Sequence, residues 1–201
     1  MAGGPDRQIR KGDRKYDRYF YYKALKHYSK AYDKAIKAEE PNGRVTLRIA
    51  DCYRHLNDPI SAEKWYREAL EYPENSGDRQ NWLYMMRALM NNQKYDEAAT
   101  WARKYLAYHP EDDLAKDLLK GSEVYTVFLK DSTRFKITNL DINTPESDFG
   151  PTIQDTTVIF SSAKDKEKLL FGWNGRYFLQ LYIGNIVENS AQLQDVKHIP
   201  G

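Results

Sequence analysis

Residues capable of chemistry are scattered through this sequence rather than gathered. His27, His55, His109 and His198 have no spacing that would bring two imidazoles onto one metal ion. Cys52, beside Tyr53 in a helical pattern, reads as a small buried hydrophobe rather than a nucleophile. Asp141-x-Asn143 with Glu146 and Asp148 offers oxygen ligands for calcium. It lacks the glycine and spacing of an EF-hand loop and reads as a solvated turn. Gly3-Gly4 and Gly172-x-x-Gly175 do not form a phosphate-cradling loop. The sequence therefore assigns no catalytic residue, no metal ligand and no cofactor. An enzymatic rival reading would rest a small hydrolytic β-domain on His198 or Asp155.

The start of the chain carries the densest charge. Arg7, Arg10 or Lys11, Arg14 and Arg18 share one helical face, which suits anionic lipid or nucleic acid. Asp6, Asp13 and Asp17 reduce +6 to +3 over these eighteen residues, which favours an ordinary solvated face. Across all 201 residues, 31 Lys and Arg face 29 Asp and Glu, a net charge of +2. That balance excludes the whole-protein field typical of a nucleic-acid binder, and no nucleic-acid partner is expected. Hydrophobic residues at 41% and aromatics at 13% suffice for a core. A mean hydropathy of -0.81, with no apolar run near eighteen residues, excludes a transmembrane helix in this sequence. The single cysteine excludes an internal disulfide. Met1-Ala2-Gly3-Gly4-Pro5 runs into charged residues with no apolar stretch, which fits a cytosolic chain or the mature part of an exported one.

The elements that position these residues show as a repeat. Ala24-Tyr28-Ala31 recurs as Ala62-Tyr66-Ala69, and then as Ala98, Ala102 and Tyr105 followed by Pro110. The first alanines stand 38 and 36 residues apart, and both gaps hold loop residues, Pro41-Asn42-Gly43 and Pro73 to Gly77. Ile49, Ala50 and Tyr53, and then Trp82, Met85, Met86 and Leu89, mark the partner helix of the second and third units. Small alanines let two helices approach and the aromatic fills the space left between them. This pattern resembles an array of three tetratricopeptide repeats over roughly residues 7 to 110. A generic array of helical hairpins is the plainer alternative. Leu114, Leu118 and Leu119, behind Glu111-Asp112-Asp113, predict a seventh, capping helix.

Beyond Gly121-Ser122 the period changes to alternation. Phe135 to Ile142, Thr156 to Ser161, Lys168 to Gly172 and Arg176 to Ile183 predict three to five short antiparallel strands, with a hairpin turn at Trp173-Asn174-Gly175-Arg176. The expected fold is α+β in two parts: an all-α solenoid of about seven helices over 1–122, then a short antiparallel β segment over 123–201.

Ser147-Asp148-Phe149-Gly150-Pro151, Asp155 and Val158 to Lys164, with Trp173 to Tyr182, resemble the first blade of a WD-like β-propeller in OmpA-family envelope proteins. In that family a tetratricopeptide array precedes the propeller and a peptidoglycan-binding domain follows, and some members serve type IX secretion. The resemblance implies the periplasmic front end of an outer-membrane-associated protein, reaching peptidoglycan only through domains absent from this sequence. The 71 residues after position 130 are too few for a propeller of at least four blades. The β segment is thus expected to be an incomplete propeller.

The repeat register also suggests a binding groove. It places Arg44, Leu47, Arg48, Asp51 and His55 from the second unit, and Leu83, Tyr84, Arg87 and Asn91 from the third, on the surface that tetratricopeptide arrays use for extended peptides. Arginine forks suit carboxylates and tyrosine supplies rigid contact area, so an acidic or C-terminal peptide fits this face. The family's carboxylate clamp of two lysines and two asparagines is not reproduced. The expected function is a non-enzymatic protein-binding scaffold; the alternative is a free-standing cytosolic adaptor or co-chaperone.

Overall fold

The computed structural model describes residues 5–130, 132–134, 136–164, 170–188, 190 and 192–200. It forms two units, Met1–Ser132 and Thr133–Gly201.

The first unit is helical: α1 (Pro5–Tyr16), α2 (Tyr21–Lys37), α3 (Gly43–His55), α4 (Pro59–Ala69), the single turn α5 (Pro73–Ser76), α6 (Arg79–Asn91), α7 (Tyr95–Leu106) and α8 (Asp113–Leu129). Side-chain caps start four of them. Asn42, Asp58, Asp78 and Asp112 accept from the backbone amides of Val45, Ser61, Gln80 and Ala115 at 2.8–3.2 Å. The turn inside each pair repeats in backbone as well as sequence. Tyr19, Asn57 and Gln93 take φ of 61°, 56° and 60°. The next residues, Phe20, Asp58 and Lys94, donate to Lys15, Tyr53 and Leu89 carbonyls at 2.9–3.0 Å. This left-handed stop satisfies helix-end carbonyls and reverses the chain.

α1 packs on α2, α3 on α4 and α6 on α7, while α2–α3, α4–α6 and α7–α8 contacts join the pairs. The repeat residues Ala24, Tyr28, Ala31, Ala62, Tyr66, Ala69, Ala98, Ala102 and Tyr105 are all buried in the core. Gly12 is needed for close approach, because a Cβ there would lie 2.5 Å from the Tyr28 ring. α5 braces the second and third pairs: Asn75 donates to the Gly43 and Ala69 carbonyls, and Asn81 and Trp82 donate to Asn75 and Ser76. The capping helix continues through Gly121-Ser122, where alternation was expected to begin. There a Cβ at Gly121 would lie 3.3 Å from the Met90 methyl, and Ser122 Oγ donates to the Leu118 carbonyl, so both residues fit a packed helix.

The second unit is a four-stranded antiparallel sheet in the order β1 (Asp148–Gln154), β2 (Thr157–Ser162), β3 (Gln180–Ile186), β4 (Leu193–Ile199). Val158, Phe160 and Tyr182 bury one face over Leu140 and Ile142. On the other face Phe149, Ile159 and Leu181 stay 56%, 38% and 49% exposed. The α+β architecture, helical array then antiparallel sheet, is the one the sequence predicts.

Individual strands differ. Residues 136–142 form no strand. Ile137 is exposed and Leu140 and Ile142 pack beneath the sheet as isolated apolar contacts, while Phe135 lies outside the described residues. Residues 168 and 169 of the expected Lys168–Gly172 strand also lie outside them, and Leu170 makes a single bridge to Tyr177. The turn at Trp173–Arg176 is present, with Gly175 at φ 70° and the Phe171 amide donating to Arg176 at 2.8 Å. β1 and β4 have no counterpart among the predicted strands: β1 is almost wholly exposed and begins in the expected polar turn, and Gln194, Asp195 and Lys197 interrupt the apolar alternation of β4.

Candidate functional site

The first helix of each pair contributes to one continuous strip. Arg44 pairs with Asp13 at 2.9 Å, Arg48 lies 4.6 Å over the Tyr16 ring, and Arg54 lies 3.9 Å over the Tyr84 ring. These contacts link α3 to α1 on one side and to α6 on the other.

At the centre is a polar network. Tyr66 OH donates to Asp51 Oδ1 at 2.6 Å and accepts from Arg54 Nε at 3.0 Å, while Arg54 Nη2 meets His55 Nε2 at 2.9 Å. The His55 ring stacks on Tyr21 at 3.9 Å, with Tyr16 edge-on at 5.9 Å. Burial and then the Arg54 charge hold His55 below its usual pKa, against an opposing pull from Asp51. Burial and Asp51 push the Tyr66 phenol far up, so it stays a donor at any physiological pH. The adjoining cleft, about 180 Å³, is lined by Arg54, Asn57, Tyr84, Arg87 and Asn91 among others.

The structure brings most of the expected residues to this strip: Arg44, Arg48, Asp51, His55, Tyr84, Arg87 and Asn91. Two lie elsewhere. Leu83 is fully buried against Met86, Ala102, Tyr105 and Ala115, because the capping helix covers that side of α6. Leu47 is half-buried against the core between the second and third pairs. Leu83 belongs to the packing face of α6 and is not a groove position, because the next helices cover it. Asp13, Tyr16 and Arg54 went unassigned. A signal for Asp13 exists: Asp13, Asp51 and Arg87 stand 38 and 36 residues apart, the interval of the repeat itself. Tyr28 OH donates to Asp13 at 2.7 Å, matching Tyr66 to Asp51.

The third pair breaks this pattern. Ala102 takes the tyrosine position, and Tyr105, one turn later, donates instead to Asp112 at 2.9 Å. Arg79 grips that carboxylate through two nitrogens and, with Tyr105 and the Ala115 amide, holds Asp112 far below the usual carboxylate range despite its desolvation. Arg87 is left exposed and, among the described residues, without an ion pair.

The residues of the rival readings are not assembled. Asp155 occupies the β1–β2 turn, while His198 pairs across from Tyr182 on β4. Asp148 Oδ2 accepts from the amide and hydroxyl of Thr144, so the acidic loop closes its own turn. Among the described residues no helix is long and apolar enough to cross a membrane, and no cluster of metal-ligating side chains forms.

No protein-family model and no curated protein sequence matches the chain. Among solved structures it is similar to the first TPR of Spaghetti (RPAP3) bound to HSP90 peptide SRMEEVD. That match has 19% identity over 61% of this chain and 93% of that one, with a TM-score of 0.50. It is also similar to the Arabidopsis OM64 TPR domain, with 20% identity, 61% and 96% coverage and a TM-score of 0.49. The Sgt2 TPR domain from Aspergillus fumigatus matches at 18% identity, 70% and 91% coverage and a TM-score of 0.46. The helical unit therefore has the tetratricopeptide-repeat fold.

Proposed function

We propose that this chain is a non-enzymatic protein-binding scaffold whose strip across α1, α3 and α6 receives an extended, acidic peptide segment. The observation that carries this reading is the cleft lined by Arg54, Tyr84, Arg87 and Asn91, where a guanidinium with no ion pair among the described residues, that of Arg87, shares one concavity with the Tyr84 ring. Arg44, Arg48 and Arg54 are already occupied by Asp13, Tyr16, Asp51 and Tyr66. Arg87 is the arginine of this strip that has no such partner among the described residues and can offer its fork to a carboxylate.

In this reading the chain is the front end of an OmpA-family, outer-membrane-associated periplasmic protein, serving type IX secretion, with peptidoglycan held by domains beyond this sequence. The support is the Ser147–Lys164 and Trp173–Tyr182 resemblance, and a sheet whose four consecutive strands equal the count of one propeller blade. The second reading, a cytosolic adaptor, draws on the similar domain whose structure holds the peptide SRMEEVD.

Fluorescence anisotropy with an acidic peptide ending in a free carboxylate tests the groove. Arg87→Ala should weaken binding about tenfold, and Arg48→Ala less. Equal affinity for wild type and Arg87→Ala would remove the groove reading. Fractionation of source cells, probed with an antibody to the helical unit, separates envelope from cytosol.

A further inference from the structure

The near-neutral total conceals a lopsided distribution. Residues 5–37, which make α1, α2 and their turn, hold eleven Lys and Arg against four Asp, a net +7. The remainder of the chain carries twenty Lys and Arg against twenty-five Asp and Glu, a net -5. α2 alone contributes five lysines and a single aspartate.

Much of that charge converges. Lys11, Arg14, Lys15 and Arg18 line a cleft of about 340 Å³ with His27 of α2. Lys11 and Lys15 are one helical turn apart on α1, Arg14 lies between them, and Arg18 follows in the turn after the helix, so four cations crowd one end of α1. None of the four makes an ion pair among the described residues. The nearby Asp13 is already spent on Tyr28 and Arg44. Like charges at this spacing repel, and no ion pair among the described residues offsets that repulsion. His27 Nδ1 is 2.9 Å from Gln8 Oε1, which leaves Nε2 as the nitrogen available to a ligand.

We infer that the cleft between α1 and α2 is a phosphate-binding site, distinct from the groove and independent of the peptide reading. A single carboxylate would cancel one of four cations, whereas a phosphate group brings two charges and several acceptors into a space that holds it with its attached group. Lysine supplies point charges and arginine supplies forks, the combination suited to phosphate oxygens. His27 serves as a reporter. Burial and the charges of Lys11, Lys30, Lys15 and Arg14 hold its pKa down, and a bound dianion would offset those charges.

Calorimetric titration of the full chain with inorganic pyrophosphate at low ionic strength should show saturable one-to-one binding, and acetate at equal ionic strength should show none. Lys11→Gln with Arg14→Gln should weaken pyrophosphate binding at least tenfold, while Lys26→Gln with Lys37→Gln, the same charge removed outside the cleft, should change it less than threefold. In sulfate, which keeps both charges throughout the titration, the NMR midpoint of His27 should rise in wild type and not in the Lys11/Arg14 variant.

Two arms separate the sources of phosphate. Sedimentation with phosphatidate-doped phosphatidylcholine vesicles, reversed by pyrophosphate, assigns a lipid headgroup; calorimetric binding without sedimentation assigns a soluble phosphate compound. Equal weakening by both variant pairs, an unmoved His27 midpoint, or binding of an RNA oligomer that pyrophosphate does not displace would overturn the site.

Discussion

In the first two helical pairs a buried tyrosine reaches an aspartate fifteen residues earlier, Tyr28 to Asp13 and Tyr66 to Asp51. The third pair has Ala102 and Arg87 at those positions, and its tyrosine turns to the capping helix through Asp112. The same backbone register thus carries two different commitments. In the first two pairs the polar position facing the strip is used up in holding the pair together. In the third, stability is drawn from Asp112, Arg79 and Tyr105 on another side, and the strip position is released. A repeat array frees a surface position where it stops needing that position for packing.

The contrast can be broken most severely at its buried ring. Tyr66→Ala should cost about 3–5 kcal/mol in urea unfolding, since it removes a fully buried aromatic and strands Asp51. A smaller loss, about 2–3 kcal/mol, is expected for Asp51→Ala, which leaves the Tyr66 hydroxyl without its acceptor and Arg54 without its nearest carboxylate. Arg87→Asp at the matching position of the third pair should change stability by less than about 0.5 kcal/mol while abolishing capture of an acidic peptide. Loss of stability at Arg87 comparable to that at Asp51 would erase the distinction between the pairs.

The smallest effect is a pH dependence. His55 titrates below its usual value, so the unfolded chain takes up a proton first, and stability falls as pH drops below about 6.5 and levels off beneath the folded value. His55→Gln should flatten the part of the melting-temperature slope between pH 7 and 5 that His55 contributes, leaving the part due to His27, which is shifted the same way.

The helical unit was legible because its packing rule is written in residue type: alanine and tyrosine at a fixed interval admit few other structures. The turns repeated too, yet Tyr19 and Gln93 gave no warning of a left-handed backbone, which Asn57 alone advertises. At the candidate site, the placement of Arg44, Arg48, Asp51, His55, Tyr84, Arg87 and Asn91 on the first helices of their pairs followed from register. Leu83 did not, because its burial depends on a capping helix distant in sequence. The network joining Asp51, Tyr66 and Arg54 crosses between helices, and the doubled spacing of fifteen residues was its only trace. β4 left little trace because its polar residues Gln194, Asp195 and Lys197 break the alternation and Leu193 is its one buried apolar residue.

Cys52 is fully enclosed among Ala24, Tyr28, Val45 and Ile49, and burial pushes its thiol well above the usual range. A thiol reagent meets it only while α3 stands away from α2. As the sole sulfhydryl in 201 residues it serves as a built-in stopwatch, and the time course of its labelling counts how often the first and second pairs breathe apart.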